Sequence, residues 1–285
     1  MPVKTVERAN VAGQCWGVKR TMEMILSKKE KMNLLGTPIH NPEAVKQLET
    51  AGHKVIEDVK DATAGSTVVL SAHGAAKSVK KELSRKFNVL DTSCPLVDKV
   101  HLSALYRGKH GKTIIILGKS THRETMGTIQ ELKDHKIPYV VVHSVDEIRK
   151  LTIADYALVQ QTTSSLKLAE EIKRYVARER PDIEYVDTIC QPTKDHQLAA
   201  EELSRRVDVM LVLGGNKSEN NENLTLLCRG LTRKGAYQFE FPNQLRPEVH
   251  LAGFFAIGVT GGASTPLESI DQLVELIRLH GFRKV

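Results

Sequence analysis

Asp91-Thr92-Ser93-Cys94-Pro95-Leu96-Val97 is the stretch that decides how the rest of this 285-residue chain folds. An apolar run, Phe87-Asn88-Val89-Leu90, leads into it, and a helical pattern over 95–106 leaves it. Cys94 therefore falls at a strand-to-helix junction, with Pro95 suited to the first helical turn. Backbone N–H groups and the positive end of the helix favour the thiolate there, and metal binding with it. Two other cysteines have the same setting. Cys15, in Gly13-Gln14-Cys15-Trp16-Gly17, precedes a helical pattern at 18–28. Cys190, in Asp187-Thr188-Ile189-Cys190-Gln191-Pro192, precedes one at 194–206.

Outward from these junctions the same beat repeats. Strand patterns at 3–8, 33–35, 54–56, 67–70, 113–117, 139–143, 156–160, 209–213, 236–239 and 254–259 alternate with helical ones. The helical patterns include 43–51, a basic one at 75–86, 145–151, 166–178 and one closing the chain. Such alternation gives an α/β fold with mostly parallel sheets. Loops after the strands of such sheets converge on the ligand crevice. The chain divides into three α/β units, 12–94, 95–188 and 189–285 with 1–11; Cys15 opens the first, Cys94 stands at the boundary of the first and second, and Cys190 opens the third.

Composition narrows the class. No apolar run approaches membrane-spanning length. The first residues lack the apolar core of a signal peptide. A cytoplasmic, reducing setting is expected, with cysteines free or metal-bound and not bridged. The net charge of +7 favours acidic partners: nucleic acid, an acidic electron carrier or a phosphorylated metabolite.

Isolated cysteines are more often inert core residues, and Cys228, inside a helical pattern at 224–230, fits that description. Cys15, Cys94 and Cys190 sit instead among Gly, Pro, Asp, Thr and Gln. No Cys-x-x-Cys is present, so neither a zinc ribbon nor a thioredoxin motif is indicated. Three thiolates from distant loops can hold an iron–sulfur cluster with one iron lacking a protein ligand, a position open to substrate.

Of the eleven histidines, His40, His73 and His122 follow strands beside Asn, Gly or Thr, as an anion cradle would require. Zinc is the competing ligand, but no pair has i, i+4 helical spacing. The other eight, His53, His110 and His135 among them, are expected at the surface. Gly214-Gly215-Asn216-Lys217-Ser218 is not a Walker motif, yet it offers Ser218 and Asn220 at a helix N-terminus, an anion site or a plain cap. Ser264, in the loop 260–266, is a donor of the same kind. No dinucleotide fingerprint occurs. Glu124, two residues after His122, is the candidate acid, and Thr162 is placed to orient it.

Together these stretches resemble the LytB family, the 4-hydroxy-3-methylbut-2-enyl diphosphate reductases of the non-mevalonate isoprenoid pathway. The resemblance spans nearly the whole chain. It is carried by Gly13-Gln14-Cys15-Trp16-Gly17, Ile39-His40-Asn41, Ser71-Ala72-His73-Gly74, Thr92-Ser93-Cys94-Pro95-Leu96-Val97 and His122-Arg123-Glu124 with Gly127-Thr128. Gln161-Thr162-Thr163, Asp187-Thr188-Ile189-Cys190, Ser218-Glu219-Asn220 and Gly261-Gly262-Ala263-Ser264 complete it. It implies three pseudo-symmetric α/β domains in a trefoil around a central [4Fe-4S] cluster, ligated by Cys15, Cys94 and Cys190. It implies a diphosphate site of His40, His73, His122, Ser218, Asn220 and Ser264, with Glu124 as proton donor and Thr162 positioning the hydroxyl. The implied activity is an oxidoreductase's: a two-electron reductive dehydroxylation giving isopentenyl and dimethylallyl diphosphates, with electrons from an acidic ferredoxin or flavodoxin.

Four positions depart from the family pattern: Glu219 where serine is common, Arg123 where proline is common, Asp98 where threonine is usual, and Trp16 where a small residue is common. They leave two rivals, a LytB-like paralogue acting on a different substrate, with or without a diphosphate, and an iron–sulfur redox sensor. The sensor ranks lower, because the basic helix mixes Glu82 with its lysines and lacks interleaved aromatics, a poor nucleic-acid surface.

Overall fold

The structure, a computed structural model, describes residues 3–152 and 155–285. Its elements open with β1 (Thr5–Arg8), α1 (Trp16–Leu26), β2 (Asn33–Leu35), α2 (Pro42–Thr50), β3 (Lys54–Ile56), β4 (Thr67–Leu70), α3 (Lys77–Leu83) and β5 (Asn88–Asp91). Then come α4 (Pro95–Lys109), β6 (Thr113–Leu117), α5 (Arg123–Asp134), β7 (Tyr139–Val142), α6 (Val145–Arg149), β8 (Tyr156–Gln160), α7 (Leu166–Glu179) and β9 (Ile183–Tyr185). The chain ends with α8 (Gln191–Ser204), β10 (Val209–Leu213), α9 (Glu219–Leu231), β11 (Ala236–Phe239), α10 (Pro247–His250), β12 (Ala256–Gly261), α11 (Leu267–Arg278) and β13 (Arg283–Lys284).

Three sheets result, in strand orders β3-β2-β4-β5, β7-β6-β8-β9 and β11-β10-β12-β1-β13. Every strand pairing among the described residues is parallel. The fold is thus mixed α/β with three parallel sheets, as the alternation of patterns indicates. Contacts along the backbone group the chain into two compact units. One contains the residues through Lys19, Ile39–Thr50 and Gln191–Val285; the other contains Arg20–Pro38 and Ala51–Cys190.

The second unit holds the first two sheets. Strand β6 reads Thr-Ile-Ile-Ile-Leu, an unbroken apolar run of the kind that both faces of a parallel sheet bury. Its period of two feeds two helical layers. Ile115 and Leu117 pack with Ile148 of α6 and with Ile172 and Val176 of α7. Ile114 and Ile116 pack with Val100 and Ala104 of α4 and Leu132 of α5. Each such side chain contributes roughly 1.5–3 kcal/mol of burial.

The other unit repeats this arrangement. Leu211 and Leu213 of β10 face Ile270, Leu273 and Ile277 of α11, while Met210 and Val212 face Ala200 and Leu203 of α8 and Leu224 and Cys228 of α9. The N-terminal strand β1 inserts between β12 and β13.

Several boundaries differ from the sequence patterns. Helix α8 begins at Gln191, directly after Cys190, because Pro192 sits in the first turn, where its missing N–H is harmless. The basic helix is only Lys77–Leu83: Gly74 takes a left-handed turn (φ 76°) and Ala76 is extended before it. Strand β12 runs on to Gly261, since Thr260 and Gly261 pair with Val212 and Leu213. The short strands β9 and β13 have no counterpart in the patterns, being edge strands with charged residues.

Candidate active site

In the second unit, functional side chains ride on the loops and helix starts that follow strands. Cys94 is the N-cap of α4, and its amide donates to the Ala72 carbonyl in the loop after β4 (3.0 Å). The Cys190 amide donates to the Thr162 carbonyl in the loop after β8 (3.1 Å). Both cysteines are half-buried.

Glu124 lies in the first turn of α5 and is 2% exposed. Thr162 clamps its carboxyl group from both sides. The Thr162 amide donates to Oε1 and the Thr162 hydroxyl to Oε2, each at 2.6 Å. His122 caps the same helix: Nδ1 accepts from the Glu124 amide at 3.3 Å, so a neutral ring carries its hydrogen on Nε2. The His73 ring stands edge-on to that of His122, with centroids 5.5 Å apart, and its Nδ1 is 3.3 Å from Ser71 Oγ. A buried carboxyl group fixed by a hydroxyl, beside two imidazoles, is an arrangement able to bind an anion and hold a transferable proton.

Behind this group lies a polar layer that sequence patterns did not reveal. His101 of α4 is 4% exposed; burial holds its pKa below the ordinary histidine value, with the Glu131 and Asp98 charges opposing. Its ring lies against Gly127, where a Cβ would come within 3.2–3.3 Å of it. Glu131, further along α5, accepts from the Lys77 amide at 2.6 Å and so caps α3, whose N-cap Ala76 makes no side-chain cap. Lys80 of α3 sits between Asp91 (2.7 Å) and Asp98 (3.7 Å) and donates to Ser93 Oγ (3.2 Å). Asp98 is therefore a partner of Lys80. Arg123 extends to the Leu35 carbonyl (3.1 Å), over Gly36, and so has a structural role.

In the other unit, Cys15 stands just before α1 and is half-buried; its amide donates to the Ala263 carbonyl at 3.0 Å. Trp16 beside it is 48% exposed. The Ser264 hydroxyl is 3.4 Å from the His40 carbonyl, and that carbonyl would be 2.6 Å from a Cβ at residue 215, a close approach that requires Gly215. Ser218 caps α9 by accepting from the Asn221 amide (3.4 Å). Asn41 Oδ1 caps α2 through the Ala44 amide (3.0 Å). The Nδ2 groups of Asn41 and Asn220 are buried donors without a partner among the described residues. Unmatched buried donors cost about 1–3 kcal/mol each, which an anion accepting from them would remove. Asn41 joins the sequence-expected Ser218, Asn220, Ser264 and His40 in this region; its position in a capped turn was the available signal. Glu219 is the first residue of α9 and is half-buried.

The expectation that the remaining histidines lie at the surface fails at four positions. His53, His101, His196 and His250 are all buried. His53 accepts from the Met32 amide through Nδ1, and His250 stands edge-on to Tyr237 and Phe239. Cys228 is buried as expected, and burial pushes its thiol pKa up to about 11.

The family model described as LytB protein matches residues 6–278. The 4-hydroxy-3-methylbut-2-enyl diphosphate reductase of Caldanaerobacter subterraneus subsp. tengcongensis is 35% identical over 279 residues, 95% of each chain. That of Ralstonia nicotianae is 32% identical over 290 residues, 97% of this chain and 87% of the relative. Among solved structures, the E-1-hydroxy-2-methyl-but-2-enyl-4-diphosphate reductase from Plasmodium falciparum matches with a TM-score of 0.90 and 27% identity, over 99% of this chain and 92% of that one. With its motifs and its three parallel sheets in agreement, the chain belongs to the LytB family.

Proposed function

We propose that the chain is an iron–sulfur reductase of 4-hydroxy-3-methylbut-2-enyl diphosphate, removing the allylic hydroxyl as water with two electrons and two protons. The products are isopentenyl and dimethylallyl diphosphates. The observation that carries this reading is the buried Glu124 carboxyl group, clamped by the Thr162 amide and hydroxyl beside His122. In its protonated form Glu124 gives its proton to the departing hydroxyl oxygen, and Thr162 orients that oxygen. His73 and His122, with His40, Ser218, Asn220 and Ser264, bind the diphosphate. The partnerless Nδ2 groups of Asn41 and Asn220 support an anion site there.

A [4Fe-4S] cluster is the cofactor in this reading, with Cys15, Cys94 and Cys190 holding it. The donor set fits: all three are half-buried and immediately precede helices, unlike the fully buried Cys228. When bound, the cluster supplies single electrons and an open iron acting as a Lewis acid. The domains are 12–94, 95–188 and 189–285 with 1–11. The electron donor is an acidic ferredoxin or flavodoxin, which the +7 charge suits, and the location is cytoplasmic. Among the described residues no helix is long and apolar enough to cross a membrane.

The test is anaerobic purification with iron and sulfide analysis, followed by turnover of the hydroxybutenyl diphosphate with dithionite and a viologen. Glu124→Gln is expected to cut turnover by roughly 10²–10⁴-fold while cluster absorbance stays intact. A loaded cluster with no turnover in the native chain would point to another substrate, and near-native rates in the variant would remove Glu124 from the mechanism.

A further inference from the structure

His196 lies on α8, six residues after Cys190, and is 3% exposed. Its Nδ1 is 2.7 Å from the Pro192 carbonyl and its Nε2 is 2.8 Å from the Gly13 carbonyl. A carbonyl oxygen accepts and never donates. Hydrogen bonds to both carbonyls need hydrogen on both ring nitrogens, which only the imidazolium carries. A neutral ring would set one nitrogen lone pair against an oxygen.

Burying a cation is costly unless an anion offsets it. Among the described residues no carboxylate forms an ion pair with His196, and its neighbour Asp195 accepts instead from Gln191 (2.7 Å). The two carbonyls that it does engage have a particular place in the chain. Gly13 stands two residues before Cys15, and Pro192 two residues after Cys190. A cluster held by three thiolates is an anionic group, and two of those thiolates are attached to the segments that His196 joins.

We propose that His196, as the imidazolium, is a positioning residue that fastens the start of α8 to the turn carrying Cys15 and lends a fixed positive charge to the thiolate cluster. The proposal rests on the assignment of Cys15 and Cys190 as cluster ligands. A positive charge and extra hydrogen bonding near an iron–sulfur cluster raise its reduction potential. They also hold two of its ligand-bearing segments in register, as second-sphere groups do at other metal sites.

The experiment uses the full-length anaerobic protein. A long-range proton–nitrogen spectrum of histidine-labelled native protein, with the cluster oxidised, should show one buried ring with hydrogen on both nitrogens at neutral pH. That signal should vanish in His196→Gln. Cluster midpoint potentials are then compared in the native chain, His196→Gln and His196→Arg, arginine being permanently charged and rich in donors. The glutamine variant should titrate at a more negative potential and release iron to a chelator roughly tenfold faster or more, the loss of one charged hydrogen bond. Arginine should restore both values towards native. A His196 ring with one bare nitrogen, or equal potentials in all three proteins, would overturn the proposal. Failure of the native chain to take up any cluster would instead strike the proposed function and the redox half of this inference, while the nitrogen spectrum would still decide the charge on His196.

Discussion

Glu219 opens α9, where a carboxylate favours the helix dipole but would oppose a bound diphosphate. Replacing it by serine should tighten binding of the hydroxybutenyl diphosphate by tenfold or so, the repulsion being about 1–3 kcal/mol if desolvated. Isothermal titration of the inactive Glu124→Gln background would measure this, and unchanged or weaker affinity would put the carboxylate outside the pocket. A second residue carries a pH signature. Burial pushes the Asp91 carboxyl group up, but the Lys80 ammonium and the Ser93 hydroxyl and amide outweigh it and hold the pKa below the ordinary carboxylate value. A lowered carboxylate pKa stabilises the fold above the ordinary value and loses that contribution as pH falls through the lowered one. Lys80→Met should therefore destabilise the protein near neutrality, with the difference from native shrinking below about pH 4. Urea denaturation at several pH values would check it; a pH-independent difference would mean that Lys80 acts through packing. At this scale the sequence was informative where chemistry sits in loops. Glu124 and Thr162, the proposed acid and orienting group, stand out in the sequence because they fall after strands, and the structure bonds one to the other. A lone histidine carries no motif, so the patterns place His101 and His196 at the surface, whereas both are buried. Their signal was positional: Val97, Val100, His101 and Ala104 form the buried stripe of α4, and Thr193, His196, Ala200 and Leu203 that of α8.

Among the elements, the connection after β2 shows how a substitution in one place is absorbed by a glycine in another. Gly36 has φ of 65°, and a Cβ there would fall 1.9 Å from the Arg123 guanidinium. Gly36→Ala should cost about 1–3 kcal/mol through backbone strain and displacement of Arg123 from the Leu35 carbonyl. A cycle with Arg123→Ala, followed by thermal unfolding, would separate the two contributions. If the alanine variant proved as stable as native, the left-handed turn would have an alternative conformation. Strong periodic patterns located the long helices and buried strands. Helix α8 starts earlier than the pattern at 194–206 indicates, because proline is tolerated in a first turn. The edge strands β9 and β13 were invisible because three residues such as Ile-Glu-Tyr have no period to detect and owe their form to the neighbouring strand.

For the whole molecule, alternation of strand and helix was enough to indicate α/β architecture, since a parallel sheet needs a crossover between successive strands. Strand order was not legible: nothing local places β1 between β12 and β13, a pairing that spans almost the full length of the chain. The four cysteines, finally, differ in reach. Cys15, Cys94 and Cys190 are half-buried, whereas Cys228 is sealed in a helix against Ala200 and Leu203, its thiol raised to about 11. Iodoacetamide applied to folded protein stripped of iron should add three carbamidomethyl groups by mass spectrometry, and a fourth only in denaturant. With the proposed cluster bound, labelling before stripping should be blocked at the same three sulfurs, which makes the four cysteines together an internal standard for cofactor occupancy. A fourth adduct on the folded chain would mean that α9 opens readily.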